Sequence, residues 1–329
     1  MKFTLIICTY QRSGPLYKLL KSVKGQTLYP NQIIIIDGSE EDKTREIFKS
    51  YYFKNLEYYK VSKENRGLTK QRNFGINKLA PSSDVVCFLD DDIVLTPTYF
   101  ENLLSTYQKF PEALGVGGYI VDEIKWFQKR DANVQFDEFE YDGFIRKLGS
   151  RHLLRKKVGL QPDVPPCYMP KFSNGYALGF LPPTGKCYKV ENFMGGVASY
   201  RKEIFKKINF STYFEGYGLY EDMDFCLRVS EMGQLYVNTS AKLLHYHEDS
   251  GRPNQFIYGK MVMRNGWYVW RKKYPSPDFK NILKWHAIAI LLTFVRFSNI
   301  FNTSHKRKAL TESMGRIVGW WSLLLNKPV

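Results

Sequence analysis

The stretch V-V-C-F-L-D-D-D, Val85 to Asp92, decides how the rest of the chain reads. An apolar run without polar alternation predicts a strand covered on both faces, as in a parallel sheet. Three aspartates at its carboxyl end repel one another unless a cation holds them. In extended chain Asp90 and Asp92 point to one side and Asp91 to the other. Asp90 and Asp92 are therefore the expected ligands of Mg²⁺ or Mn²⁺, with phosphates of a bound ligand completing the shell. Asp90 is also assigned to a ribose, and Asp91 to the outer part of the same donor site or to a structural role. The plain alternative is a solvated acidic turn.

Working outward, two more runs have the same character: F-T-L-I-I-C (Phe3 to Cys8) and I-I-I-I-D (Ile33 to Asp37). Helical patterns separate them. Ser13 and Pro15 open one that carries Leu16, Leu19, Leu20 and Val23. Ser39 is the expected cap of a second, through Ile47 and Phe48. A third runs from about Gly67 to Leu79. This alternation predicts a doubly wound α/β sheet. Each run ends in polar residues: Thr9-Tyr10, Asp37-Gly38-Ser39, Asp90-Asp91-Asp92. Ligands of open parallel sheets bind outside the carboxyl ends of the strands, so the three clusters are expected to share one crevice.

Further along, residues 122–191 are rich in turns (P-D-V-P-P-C, L-P-P-T-G-K) and read as a long excursion over the site. Order resumes at Asn192 with F-M-G-G-V-A-S-Y. A helix is expected over Tyr220 to Met232 and a strand over about Leu235 to His245. The expected division is a catalytic domain, 1–250, and a basic, aromatic helical extension, 251–329. In that extension Ile282 to Phe297 is nearly long enough to span a bilayer, but Lys284, His286 and Arg296 interrupt it. A helix lying in the interface of an anionic membrane fits, as does a helix packed on the domain. Trp267 and Trp270 suit either a sugar platform or a core.

The 329 residues carry 48 basic and 32 acidic side chains, a net charge of +16. That excess suits anionic lipid, polyphosphate or nucleic acid. No basic strip interleaved with aromatics and no nucleic-acid motif is present, so nucleic acid is not an expected partner. Five cysteines without a C-x-x-C pair suggest neither disulfides nor zinc and fit a reducing cytoplasm. Lys2 to Tyr10 lack the form of a signal peptide.

Taken in order, I-I-C-T-Y-Q-R, I-I-I-I-D-G-S, G-L-T-K-Q-R-N-F-G-I, F-L-D-D-D-I and E-D-M-D-F-C-L-R resemble the motifs of glycosyltransferase family 2. The resemblance covers about residues 3–250. It implies a GT-A fold, a D-x-D metal motif and an inverting transfer of sugar from a nucleotide diphosphate donor, UDP-sugar favoured. The expected acceptor is a saccharide hydroxyl or, with the C-terminal helices on a membrane, that of a lipid-linked saccharide in cell-surface polysaccharide synthesis, in the cytoplasm or at the cytoplasmic face of the plasma membrane. Residue by residue, Thr9 and Tyr10 would line the nucleobase pocket and Asp37 would accept from the base. Arg72 would neutralise the diphosphate or pack over the base, as a guanidinium suits phosphate oxygens. Asp222 would be the general base, with Glu221 positioning it or sharing the role.

His245 would be a third metal ligand, with His247 the second choice on the same face of an extended chain. Gly195 and Gly196 allow close backbone approach, expected to a sugar or the acceptor. Asp224 and Arg228, four apart on a helix, read as a structural ion pair. The competing functions are a nucleotide-sugar or saccharide binding module without turnover and a nucleotidyltransferase on a related fold.

Overall fold

A computed structural model describes residues 1–121, 124–129, 133–214, 216–246 and 253–328. The three apolar runs form β1 (Phe3–Thr9), β2 (Gln32–Asp37) and, later, β4 (Val85–Asp90). Between and around them lie α1 (Ser13–Lys24), α2 (Lys43–Ser50), β3 (Leu56–Lys60) and α3 (Leu68–Ile76). The chain continues through β5 (Ile93–Leu95), α4 (Tyr99–Lys109), β6 (Ala113–Ile120), β7 (Phe127–Gln128), β8 (Glu138–Tyr141), β9 (Phe144–Lys147) and α5 (Ser150–Lys157). Then come β10 (Cys187–Val190), β11 (Val197–Arg201), α6 (Glu221–Ser230), β12 (Gln234–His245), α7 (Gln255–Lys273), α8 (Phe279–Asn302) and α9 (Lys306–Leu325).

The large sheet runs β10-β12-β6-β11-β4-β1-β2-β3, with β5 paired to β12. β4, β1, β2 and β3 are mutually parallel, and their central strands are buried throughout, which is why they read as unbroken apolar runs. β11 is inserted antiparallel between β4 and β6, so the sheet is mixed. Register aligns the tips: Thr9 lies beside Asp37 and Cys8 beside Asp90.

Two compact units emerge from the contacts within the chain: Met1–Glu123 with Pro183–Arg252, and Ile124–Pro182 with Pro253–Val329. The first contains the large sheet. The second contains a three-stranded antiparallel sheet, β7-β9-β8, together with α5 and α7 to α9. The turn-rich stretch from 122 thus supplies both units. In the second unit Trp267 and Trp270 are buried and pack with Trp285, and the Trp270 indole donates to the Lys171 carbonyl at 3.0 Å. They are core, not a sugar platform. α7 and α9 pack backbone to backbone: a Cβ on Gly259 would sit 2.2 Å from the Glu312 carbonyl oxygen.

One helix start differs from expectation. Ser39 does not cap α2, which begins four residues later after Asp42. Its hydroxyl accepts from the Gln11 amide at 2.7 Å, and its own amide donates to Asp37 at 2.8 Å. The short polar side chain is spent on joining two strand tips.

Candidate active site

The tip of β1 turns sharply. Gln11 has a positive φ of 55°, a conformation costly for a residue with a Cβ, and its bond to Ser39 fixes it. This turn leaves Tyr10 exposed, with the Arg66 guanidinium 5.9 Å from its ring centre. It also sends Arg12 back toward the aspartates. Arg12 donates to Asp91 at 3.1 Å and to Asp92 at 3.2 Å. Thr9 donates to the other Asp91 oxygen at 2.6 Å. Asp91 is therefore buried with both oxygens engaged inside the protein. Burial pushes its carboxyl up to about 7, against the pull of Thr9 and Arg12. Thr9, also buried, spends its hydroxyl there rather than on a pocket surface. Arg12 carries no role in the sequence reading. The only signal for it is a cation three residues past a strand whose tip must meet three carboxylates.

Asp92 shares the Arg12 guanidinium with Asp91. Its second oxygen is 3.1 Å from His245 Nε2. β5 explains the meeting: immediately after the aspartates it pairs antiparallel with the end of β12, setting Ile93 opposite His245, and the Tyr246 amide donates to the Asp92 carbonyl at 2.9 Å. Asp90, Asp92 and His245 each offer one ligand atom, all within 4.8 Å of one another. Two carboxylates and an imidazole on rigid strand ends fit one divalent cation. The nitrogen favours Mn²⁺ over Mg²⁺, which takes oxygen almost alone. His247 falls outside the described residues.

Gly195 and Gly196 bridge this cluster to α6. β11 runs antiparallel to β4, Val197 opposite Leu89, so Gly196 lies against Asp90, whose amide donates to the Gly196 carbonyl at 3.2 Å. A Cβ on Gly196 would come within 2.2 Å of an Asp90 carboxylate oxygen. One on Gly195 would meet Glu221 at 2.7 Å and Arg72 at 2.8 Å. The close approach expected of these glycines is real, but it is to the protein's own charged groups. The Gly195 amide also donates to Asp222 Oδ2 at 3.2 Å, and the Met223 amide to Asp222 Oδ1 at 2.8 Å. Asp222 is half-buried at the first turn of α6.

Glu221 points inward. It is buried and bonded to Arg72 Nη1, while its Oε2 has no hydrogen-bond partner among the described residues. Burial pushes its carboxyl up to about 8; Arg72 opposes this, and Asp222 and Asp90 add to it. The Arg72 guanidinium lies between Phe88 and Phe210, 5.6 and 5.1 Å from their ring centres, with Asp90 at 3.7 Å. Burial works against its charge, but Glu221 and Asp90 outweigh it and hold its pKa above the usual value. Arg72 is 2% exposed, and its bond to Glu221 makes it a strut behind that carboxylate.

Asp37 is fully buried: Oδ1 closes the turn with the Ser39 amide and Oδ2 accepts from the Tyr58 hydroxyl at 2.8 Å. That local turn accounts for it without a ligand. Asp224 and Arg228 form the structural pair expected of them, at 2.6 and 3.0 Å.

A model of the family described as glycosyl transferase family 2 matches residues 4–208, and one described as the N-terminal domain of galactosyltransferase matches residues 179–247. The chain is 33% identical over 128 residues to a glucosyl-dolichyl phosphate glucuronosyltransferase of Haloferax volcanii, covering 37% of this chain and 39% of that protein. It is 32% identical over 95 residues to the O-antigen chain rhamnosyltransferase RfbN of Salmonella typhimurium, 29% of each chain. The matches thus span well under half of these relatives. Among solved structures, GalNAc-T7 with UDP, GalNAc and Mn²⁺ superposes with a TM-score of 0.53 at 14% identity, over 83% of this chain and 50% of that one. S. aureus TarS 1–349 superposes with a TM-score of 0.53 at 16% identity, over 98% and 80%. At such identities the likeness is one of fold, and the fold is GT-A.

Proposed function

The chain belongs to glycosyl transferase family 2, and from that premise we propose that it is a metal-dependent, inverting enzyme. It moves a sugar from a nucleoside diphosphate donor, UDP-sugar favoured, to a hydroxyl of a saccharide or lipid-linked saccharide. Cell-surface polysaccharide synthesis on the cytoplasmic face of the plasma membrane is the natural setting.

One observation carries the reading. The oxygen-rich cluster of Asp90, Asp92 and His245 and the carboxylate of Asp222 sit on either side of the Gly195-Gly196 turn. A donor phosphate at the first and an acceptor hydroxyl at the second would bracket the anomeric carbon between them. When bound, a divalent metal there supplies charge stabilisation to the departing nucleoside diphosphate. The chain's own groups do the rest. Asp222, aimed by two amides, accepts the acceptor proton as the acceptor oxygen attacks from the face opposite the leaving group. Glu221 and Arg72 hold the start of α6 so that Asp222 faces the cleft. Arg12 offsets the charge of Asp91 and Asp92 and keeps the turn from splaying.

The test is a thermal-shift screen of nucleoside diphosphates with and without Mn²⁺, followed by donor turnover. Stabilisation by one diphosphate only with metal, and release of that diphosphate from its sugar, is the expected result. Release of pyrophosphate would mark a nucleotidyltransferase, and metal-dependent binding without any turnover a binding module.

A further inference from the structure

The hairpin of α8 and α9 presents an apolar face that nothing among the described residues of its own unit covers. The two helices run antiparallel, clasped by Trp320 donating to His286 at 3.0 Å near one end and Arg296 to Glu312 at 2.7 Å near the other. Trp285, Ile288 and Ala289 of α8, and Ala309 and Leu323 of α9, face inward. On α8, Phe279, Leu283, Ile290, Phe294, Phe297 and Phe301 lie exposed at three-, four- and seven-residue spacings, with Phe294 65% and Phe301 77% open. On α9 the exposed set includes Leu310, Met314, Ile317, Trp321 and Leu325. Contiguous apolar surface on this scale marks an interaction site rather than chance exposure.

Charge says what the partner is. Residues 253–329 hold 13 basic and 2 acidic side chains, a net +11 in 77 residues. Both acids are committed: Asp278 caps α8 at 2.7 Å, and Glu312 is buried between Arg296 and Arg316. The exposed cations sit at the ends of the hairpin, Lys306, Arg307 and Lys308 at the turn and Lys280 and Lys327 at the open end. The long exposed stripes lie between them. Two copies meeting face to face would set +11 against +11. An anionic lipid surface would take the apolar stripe into its acyl boundary and the flanking cations at its headgroups. No helix among the described residues is long and apolar enough to cross a membrane.

We propose that the α8–α9 hairpin is a membrane-surface anchor that lies flat on anionic phospholipid. The inference goes beyond the catalytic reading and does not depend on it, since lipid binding and donor turnover are read separately.

The experiment is co-sedimentation of the full chain with phosphatidylcholine vesicles, with and without phosphatidylglycerol. Binding to the anionic vesicles alone, weakened by salt, is expected. Lys306→Glu/Arg307→Glu/Lys308→Glu should weaken it about 100-fold, at roughly one tenfold step or less per charge removed. Phe294→Asp/Trp321→Asp should weaken it about tenfold or more. Both variants should keep the wild-type circular dichroism and donor turnover, which separates lost anchoring from lost folding. Absence of binding to either vesicle overturns the proposal, as does binding that ignores both variants. So does a wild-type dimer in light scattering that Phe294→Asp/Trp321→Asp converts to monomer.

Discussion

The two compact units of this chain divide its charge unequally. The first, with the large sheet, holds 25 basic and 24 acidic residues; the second holds 23 basic and 8 acidic. Nearly all of the net +16 therefore belongs to the second unit. Yet the first unit buries charge and the second mostly displays it. Asp37, Asp91, Asp92, Glu221, Asp224 and Arg72 are all buried in the first unit, most of them around one cleft. Close to neutral overall, that unit gathers its buried acids at the strand tips and the start of α6. The second keeps most of its cations outward. Net charge alone points to no function; where the charge sits relative to solvent does.

The sharpest break between the units is chemical. Asp222→Asn keeps the shape of the side chain and one of its two amide contacts but removes the proton acceptor. Turnover should fall about 1,000-fold while donor affinity and vesicle binding stay within about twofold. Steady-state kinetics with calorimetry on the same sample checks this, and near-normal turnover would take Asp222 out of the mechanism. Next in size is Asp92→Ala. Losing an oxygen donor and the partner of His245 should weaken Mn²⁺-dependent donor binding about 100-fold, read by calorimetry with and without Mn²⁺, again with vesicle binding untouched.

Glycines sharpen the comparison, because both units use them for close approach but to different ends. A methyl on Gly196 collides with the Asp90 carboxylate, a side chain that can swing aside. A methyl on Gly259 collides with the Glu312 carbonyl and the Arg316 amide, which cannot. Gly196→Ala should therefore displace Asp90, lowering turnover with little change in melting temperature. Gly259→Ala should destabilise the helical unit by about 2 kcal/mol in denaturant melts and leave metal-dependent donor binding alone.

Much of the first unit can be read directly from the chain, and the reason is burial. β1, β2 and β4 are covered on both faces, so their runs are continuous and their polar tips conspicuous. The meeting of Asp90 and Asp92 in one candidate ligand cluster follows from their alternation. What cannot be read depends on partners far away in sequence. β6, A-L-G-V-G-G-Y-I, looks like a loop because three glycines interrupt it. They are there because Tyr200, Phe193 and Tyr99 pack where their side chains would be. Arg72 has the residue type for phosphate, and only the fold reveals that Glu221 has already taken it. Arg12 depends on a backbone turn at Gln11 that no propensity forecasts. In the second unit, amphipathic helices leave core and surface uses equally open until the buried tryptophans are seen.

The smallest expected effect concerns proton binding in the second unit. His152 of α5 is buried against Tyr176 and Phe180, with ring centres 5.4 and 4.7 Å away. Burial, and after it Arg151, Arg155 and Arg146, lower its pKa to about 3. The folded state thus refuses a proton that the unfolded chain takes near its ordinary value of 6.5. Between those limits the unfolded state binds more protons, so stability is fully present above the unfolded pKa and is lost as pH falls toward the folded one. The expected slope is about 1 kcal/mol per pH unit below roughly pH 6. Amide exchange within α5 reads it locally, apart from the carboxylates of the other unit. His152→Phe fills the same aromatic slot without titrating. Its α5 amides should lose that acid sensitivity, and an unchanged slope would assign the effect to other groups.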